Sequence, residues 1–338
     1  MAPRIFGSSL AGAPPEQPGR RRMAAVVLNY RTAEDTYLAA SSLMASNRRP
    51  DHLIVVDNDV ADECRARFVG PGAQSLDSGA QHPESPIPSS DVTYLHTGRN
   101  LGFSGGMNVG TRVALDAGAD LILLANSDIV VSPECLERLE SMLDSQPGAG
   151  IAGPLVLSRT HPDLVASAGI SYNRRSGRMR VLGVGTKAVD ASPASRGVDA
   201  VSGCLMMVTR EAFDRLGLLD ERYFFGFEDL DFCLRAHAAG LSTLLAGNAV
   251  AYHEEGRSIG QASSRRWYFA ARNHLLVASR REPGEDRGAR ALRMLWVAAL
   301  NLAHALTSDA GPLSARLAAT ARGVRDHLSG SYGPDPAA

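Results

Sequence analysis

Three places in the sequence pair reactive side chains with a spacing that lets them work. Asp128 follows the apolar run Leu121–Ala125 through Asn126 and Ser127. A carboxylate there can take a hard divalent cation that also holds phosphate oxygens, because such ions are commonly bound by one or two carboxylates plus phosphate and water. It can equally close the strand in an Asx turn. Glu228 and Asp229 open a helical stretch directly after Phe224-Phe225-Gly226-Phe227. Acids in a first turn suit the helix dipole. Beside apolar rings they are also desolvated, which raises a carboxylate towards the range of a general base. Asp231 and Arg235, four apart, read as an ordinary ion pair. His253 ends the run Ala249–Tyr252 and suits either a packed side chain or a neutral imidazole completing a metal site.

A fourth stretch is Gly102-Phe103-Ser104-Gly105-Gly106-Met107-Asn108-Val109-Gly110, which leads into a helix. Glycines there let backbone N–H groups reach phosphate oxygens, or let a helix pack tightly on a strand. The stretch is neither GxGxxG nor GxxxxGK[ST], so the dinucleotide and P-loop readings fail on their own terms.

These residues need a frame. Ala24–Leu28, His52–Val56, Val92–Leu95 and Leu121–Ala125 are short apolar runs that read as buried parallel strands. Helical stretches separate them, around 33–46 and up to Gly118. Ser132-Pro133-Glu134 caps a further helix carrying Leu136, Leu139 and Leu143. Such alternation predicts an α/β fold whose ligands sit at the carboxyl ends of the strands. Asn29, Asp57, Arg99-Asn100 and Asp128 all fall there. Residues 70–90 lack periodicity and predict a surface loop. In the second half, 168–183 predict a hairpin turning at Arg175-Ser176-Gly177, and 198–208 a strand. A helix is expected from Glu228 to Ala239, two short strands over 242–246 and 249–253, and helices from 264 onward.

Composition narrows the classes. The chain has 338 residues, 44% of them hydrophobic and 21% charged, with a formal net charge of −1. That is enough apolar mass for a sizeable core, and it excludes a disordered chain. A near-zero net charge argues against a nucleic-acid partner. Cys64, Cys135, Cys204 and Cys233 lie far apart with no CxxC, so neither a zinc knuckle nor a disulfide framework is expected, and a cytoplasmic location fits. No run of about 18 apolar residues predicts a membrane span. Ala291–Leu306 is strongly apolar but short; it reads as a core or partner-packing helix, or as a membrane-surface helix with Arg280, Arg281, Arg287, Arg290 and Arg293 nearby.

The motifs in this order resemble the inverting glycosyltransferases of family 2 with the GT-A fold, and most closely their bacterial rhamnosyltransferase-like branch. The stretches that carry the resemblance are VVLNYR (26–31), IVVDND (54–59), GRNLGFSGGMNVG (98–110), LLANSDIVV (123–131), VSGCLMMVTREAF (201–213), FFGFEDLDFCLRAHAAG (224–240) and AYHEEGRSIG (251–260). The resemblance implies a GT-A fold with a mostly parallel central sheet flanked by helices and a C-terminal helical extension. The chain is expected to divide into a flexible, Pro-, Gly- and Ala-rich N-terminal tail (1–22), a transferase domain (23–262), a C-terminal helical region (263–328) and a flexible tail (329–338). Within the domain, 23–130 would be the nucleotide-binding half and 131–262 the acceptor and catalytic half.

It also implies roles. Asn29, Arg31 and Asp57 would contact the nucleotide's base and ribose, and Arg99 and Asn100 its phosphates and ribose. Gly102 and Asn108 join the same donor-binding group. Asn126-Ser127-Asp128 stands where the family has DxD, with Asp128 and His253 as ligands to Mg²⁺ or Mn²⁺. Asn126 replaces the first acid and brings no charge. Glu228-Asp229 matches the family's ED motif, with Asp229 as catalytic base. Gly203 and Cys204 would sit where donor sugar and acceptor meet. Beyond the resemblance, Arg99 or Arg257 is a candidate to add to neutralising the diphosphate. The implied partners are a nucleotide-diphosphate sugar and a glycan, lipid-linked or small-molecule acceptor. A homodimer contact and a peripheral contact at the inner face of the membrane are both open for the C-terminal helices. A sugar-nucleotide pyrophosphorylase would need a glycine-rich loop with a reactive Lys or Arg near the first strand, where this chain has NYRTAEDT. A non-catalytic sugar-nucleotide-binding or scaffold protein is the alternative of another class.

Overall fold

The computed structural model describes residues 4–6, 20–68, 92–190, 194–254, 263–282 and 284–335. The expected loop over 70–90 and the segment carrying Arg257 lie outside the described residues. The first half builds β1 (Arg4–Phe6), β2 (Met23–Asn29), β3 (His52–Asp57), β4 (Val92–His96) and β5 (Leu121–Asn126), with α1 (Ala33–Met44), α2 (Arg65–Phe68) and α3 (Gly102–Asp116) between them. All seven residues of β2 are buried. Its side chains alternate between two apolar layers: Ala24, Val26 and Leu28 face α3, while Met23, Ala25 and Val27 face the other side with Ala39, Ala40 and Leu43 of α1. A strand covered on both faces has to be apolar throughout, which is why these runs do not alternate in sequence.

β6 (Ile129–Val131), α4 (Cys135–Ser145), β7 (Ala149–Ser158), β8 (Val165–Ser167), the hairpin β9 (Ile170–Asn173) and β10 (Arg178–Val181), β11 (Arg196–Gly197), β12 (Leu205–Thr209), α5 (Arg210–Leu216), α6 (Glu228–Ala238) and β13 (Ser242–His253) follow. Among the described residues the main sheet runs β1-β4-β3-β2-β5-β12-β7-β13-β11, with β6 on β13 and β8 on β7. Strands β4, β3, β2 and β5 are mutually parallel, and β12 is inserted antiparallel beside β5. The fold is therefore the expected α/β GT-A sheet with a largely parallel core. It ends in the helical extension α7 (Ser264–Ala278), α8 (Arg287–Thr307) and α9 (Leu313–Leu328).

Several elements differ from expectation. The strand foreseen over 198–208 is broken: β12 starts only at Leu205, and Ser202, Gly203 and Cys204 before it line the cavity described below. The two strands expected over 242–253 are one, with a register shift between Ala246 and Val250. The glycine-rich stretch is not a loop ahead of a helix but the first turns of α3. Gly106 and Gly110 lie one turn apart on its inner face, where a Cβ would stand 2.4 Å from Leu28 Cδ1 and 2.4 Å from Val26 Cγ1. Close packing of helix on sheet is the use these glycines have. Among the described residues of the terminal segments, Arg4–Phe6 pairs antiparallel with β4, and Asp335 pairs with Arg322 at 3.1 Å.

Candidate active site

Strand register builds the first half of the site. β6 runs antiparallel to β13 with Ile129 opposite His253, so the residue before Ile129 meets the end of β13. Asp128 Oδ1 lies 3.0 Å from His253 Nε2. β12 brings Cys204 opposite the end of β5, where the Asn126 N–H donates to the Cys204 carbonyl at 2.9 Å. The Asn126 amide nitrogen stands 3.3 Å from His253 Nε2, and its Oδ1 is buried without a hydrogen-bond partner. One carboxylate, one imidazole and one amide thus converge. Among the described residues no group of three His, Cys, Asp or Glu side chains forms a metal-binding cluster. The third donor here is an amide instead. Two oxygens and one nitrogen, with the amide oxygen otherwise orphaned, suit a hard divalent cation that completes its shell with phosphate and water.

A loop builds the second half. In Phe224-Phe225-Gly226-Phe227, Phe224, Gly226 and Phe227 have φ of +59°, +79° and +73°. Positive φ in a bulky side chain costs on the order of 1–3 kcal/mol and persists only where surrounding structure fixes it. The fixing comes from α7. The Asn273 amide donates to the carbonyls of Tyr223, Phe225 and Gly226, each at 2.8 Å. The fully buried Arg272 guanidinium donates to the Arg222 and Tyr223 carbonyls at 3.2 and 3.0 Å, and to the Gly333 carbonyl at 2.7 Å. Phe103 N–H reaches the Phe224 carbonyl from α3 at 2.5 Å. Gly102, with φ +75°, leaves room for that carbonyl, which a Cβ would meet at 2.5 Å.

The loop delivers Glu228 and Asp229 to the start of α6. Asp229 Oδ2 accepts from the Gly203 N–H at 2.8 Å and Oδ1 from the Leu230 N–H at 2.7 Å. A Cβ on Gly203 would stand 3.1 Å from Asp229 Cβ, so glycine permits the approach. Burial pushes the Asp229 carboxyl above its ordinary value, against these two N–H donors. Glu228 is pushed up too, by burial first and by the Asp229 charge second, and its Oε2 is buried with no partner. Both adjoining carboxyls are thereby held above the ordinary carboxylate range, Glu228 also by the neighbouring charge. The expected Asp231–Arg235 pair forms at 2.9 Å but is buried, and Tyr223 and Arg280 also bind Asp231.

Asn126, Asp128, Gly203, Cys204, Glu228, Asp229 and His253 line one cavity of about 740 Å³. The other residues named from sequence lie elsewhere. Asn29 and Asp57 end β2 and β3 side by side, fully buried, with Asn29 Nδ2 donating to Asp57 Oδ1 at 2.8 Å. Asp57 Oδ2 accepts from the Tyr94 hydroxyl at 2.7 Å. Burial and the two carboxylates Asp57 and Asp62 hold that phenol far above its usual range. Arg31 is exposed, 3.5 Å from Asp59. Arg99 is exposed, and Asn100 Oδ1 accepts from Gly102 N–H at 2.8 Å. Ser127 accepts from Thr32 at 2.7 Å. Asn108 is turned away from the cavity: its amide pairs both ways with the Leu219 backbone, at 2.9 and 3.0 Å. Sequence reasoning missed Asn58, whose amide ties Leu101 N–H and the Gly102 carbonyl to the end of β3. It also missed Arg272, Asn273 and His274. Their signal was three consecutive polar residues inside the otherwise apolar WYFAARNHLLVA.

Residues 22–270 match the sequence model of the family described as "Glycosyltransferase like family 2". The chain belongs to that family and has the GT-A fold. It is 25% identical over 222 residues to a low-salt glycan biosynthesis hexosyltransferase of Haloferax volcanii, covering 64% of this chain and 62% of that protein. It is 27% identical over 239 residues to the N-acetylglucosaminyl-diphospho-decaprenol L-rhamnosyltransferase of Mycobacterium tuberculosis, covering 65% of this chain and 72% of that one. The chain thus spans less than two thirds of the length of the Haloferax enzyme. Its fold is similar to that of a mannosyltransferase from Pyrobaculum calidifontis solved with GDP-mannose and Mn²⁺ (TM-score 0.53, 15% identity, 92% of this chain and 88% of that one).

Proposed function

We propose that this protein is a metal-dependent inverting glycosyltransferase that moves a sugar from a nucleotide diphosphate to an acceptor hydroxyl. One observation carries the reading: a cation-suited donor set and a buried pair of adjoining carboxyls face the same cavity. Asp229 takes the proton of the acceptor hydroxyl as that oxygen attacks the anomeric carbon. The bond from that carbon to the diphosphate oxygen breaks on the opposite face, its electron pair leaves with the diphosphate, and the configuration inverts. Asp128 and His253, with Asn126 Oδ1, would hold a divalent cation, which supplies Lewis-acid neutralisation of the diphosphate. Glu228, protonated, keeps a second negative charge out of the cavity. Asn29 and Tyr94 orient Asp57 at the nucleotide end, and Arg31, Arg99 and Asn100 lie at neighbouring strand ends. Residues 23–262 form the transferase domain in this reading, and 263–328 the element that clamps its catalytic loop. The name of the mycobacterial relative supports L-rhamnose as the sugar.

Calorimetric titration of UDP, dTDP and GDP, with and without Mn²⁺, tests the reading. The expected result is metal-dependent binding of one nucleotide, lost in Asp128→Ala. Binding of none of them, with or without metal, moves the protein to the scaffold reading.

A further inference from the structure

His274, on α7, lines the cavity, is buried, and touches three elements at once. Its ring stacks on Phe227, with centroids 5.2 Å apart and planes at 25°. Its Nε2 lies 2.7 Å from the Gly177 carbonyl, at the turn of the hairpin β9–β10. Its Nδ1 lies 3.1 Å from the Asn301 amide nitrogen on α8.

These partners fix which ring nitrogen carries the proton. A carbonyl only accepts, so Nε2 donates to Gly177. The Asn301 amide nitrogen also donates to the Val297 carbonyl at 2.8 Å, which orients the amide so that Nδ1 accepts its second hydrogen. The ring is therefore the neutral Nε2–H form, because an imidazolium would set two donors face to face at Nδ1. Burial, which holds His274 below its ordinary value, acts in the same direction.

Phe227, at one end of this bridge, is the positive-φ residue directly before Glu228 and Asp229. At the other end, Gly177 closes the turn of a hairpin that forms a two-stranded sheet of its own. Ile170, Arg178, Met179 and Val181 of that hairpin line the cavity. Its turn is seated on the helical extension. Gly177, with φ +72°, has no room for a Cβ, which would stand 2.6 Å from Val297 Cγ2. The Arg293 guanidinium donates to the Arg174 carbonyl at 2.9 Å. One imidazole thus joins a wall of the cavity to the backbone that carries its carboxyl pair.

We propose that His274 is a positioning residue that holds the hairpin wall and Asp229 in register, so that an acceptor resting on the hairpin meets the base. That the wall receives an acceptor rests on the transferase reading above; the two-ended tether does not. The Nε2–H bond holds the hairpin end and the ring face holds the Phe227 end, so each can be cut alone.

Nitrogen NMR of isotope-labelled histidine side chains and amide hydrogen exchange, both on the full chain, test the tether. The ring signal that disappears in His274→Gln is expected to show a protonated Nε2 and an unprotonated Nδ1 at neutral pH. His274→Phe keeps a ring for Phe227 and loses the donor. The amides of β10 are then expected to exchange at least fivefold faster, while the Gly203 amide, which donates to Asp229, stays within twofold. His274→Gln keeps a donor and loses the ring, and the reverse pattern is expected. Gly177→Ala attacks the contact from the hairpin and is expected to reproduce the His274→Phe pattern. Hydrolysis of dTDP-L-rhamnose by water, which needs the base but no acceptor, is expected to fall at least fivefold in His274→Gln and less than twofold in His274→Phe. An imidazolium or an Nδ1–H ring overturns the proposal. So does exchange that rises equally at both ends in both variants, the mark of a general loss of packing, or that rises at neither end. Hydrolysis unmoved in His274→Gln overturns it as well. A wild type that binds no nucleotide but gives the expected exchange pattern keeps the tether and removes the transferase reading.

Discussion

Asp128 and Asp229 line the same cavity, but the first is set by strand register and the second by a loop that would not keep its shape alone. Asp128 needs only β6 to pair with β13, a ladder of backbone hydrogen bonds at the edge of the sheet. Asp229 follows a tetrapeptide with three positive φ angles, held by two consecutive residues of α7 far along the chain. The difference separates tasks. A rigid sheet edge suits a group that binds a cation, whose ligands must converge before the substrate arrives. A loop clamped by polar contacts suits a base that must stand against apolar surroundings without a counter-charge.

The largest expected effect tests that separation directly. Asp229→Asn removes the base and is expected to lower turnover by about 10² to 10⁴, on the order of 3–5 kcal/mol of transition-state stabilisation, with metal-dependent nucleotide binding kept. Asp128→Ala is expected to show the reverse pattern, with nucleotide affinity lost first. Steady-state kinetics beside calorimetry would separate them, and equal losses of affinity in both variants would break the comparison.

Asn273→Ala attacks the clamp without touching the cavity's acids. Three loop carbonyls lose their donor, and stranding a buried polar group costs roughly 1–3 kcal/mol. A loss of about 2–3 kcal/mol in unfolding free energy is expected, with turnover falling and nucleotide affinity intact. Turnover unchanged in a folded Asn273→Ala protein would mean the loop holds itself. Gly110→Ala tests the sheet side in the same terms. Its Cβ would press on Val26 and on Val56 Cγ2. The overpacking, typically about 1–3 kcal/mol, exceeds the roughly 1 kcal/mol that alanine gains in a helix. Net destabilisation of about 1 kcal/mol is expected in denaturant unfolding.

The same contrast explains what was legible in the sequence. The strands were readable because full burial on both faces leaves the continuous runs AAVVL, LIVV and LILLA, whose ends then locate Asn29, Asp57 and Asp128. The carboxyl pair was readable because acids following three phenylalanines are unusual company for a solvated cap. The positive φ at Phe224 and Phe227 was not, since nothing local favours it; it is imposed by Asn273 and Arg272, and contacts across that separation leave no periodic trace. The use of the α3 glycines was ambiguous for a related reason. A glycine that admits a phosphate and one that admits a valine side chain look alike until the facing strand is placed. Asn108 shows the cost of reading by position alone: it sits one turn from Ser104 in the motif, but its amide belongs to the Leu219 backbone.

The smallest effect concerns the partner of the base. Burial, and then the charge of Asp229, hold Glu228 above its ordinary value of 4.5, so the folded protein binds this proton more tightly than the unfolded chain does. Stability from this group is therefore full below the ordinary carboxylate range and is lost as pH rises through the folded value. Glu228→Gln is neutral at every pH and carries no such loss. The variant is expected to match the wild type in acid and to exceed it progressively in urea unfolding as pH is raised, while its turnover near neutrality falls far less than that of Asp229→Asn. Parallel stability curves for variant and wild type would mean that Glu228 is ionised in the folded protein. The cavity would then hold two negative charges, and the division of roles between the adjoining acids would fail, even if the clamp and the strand register both stood.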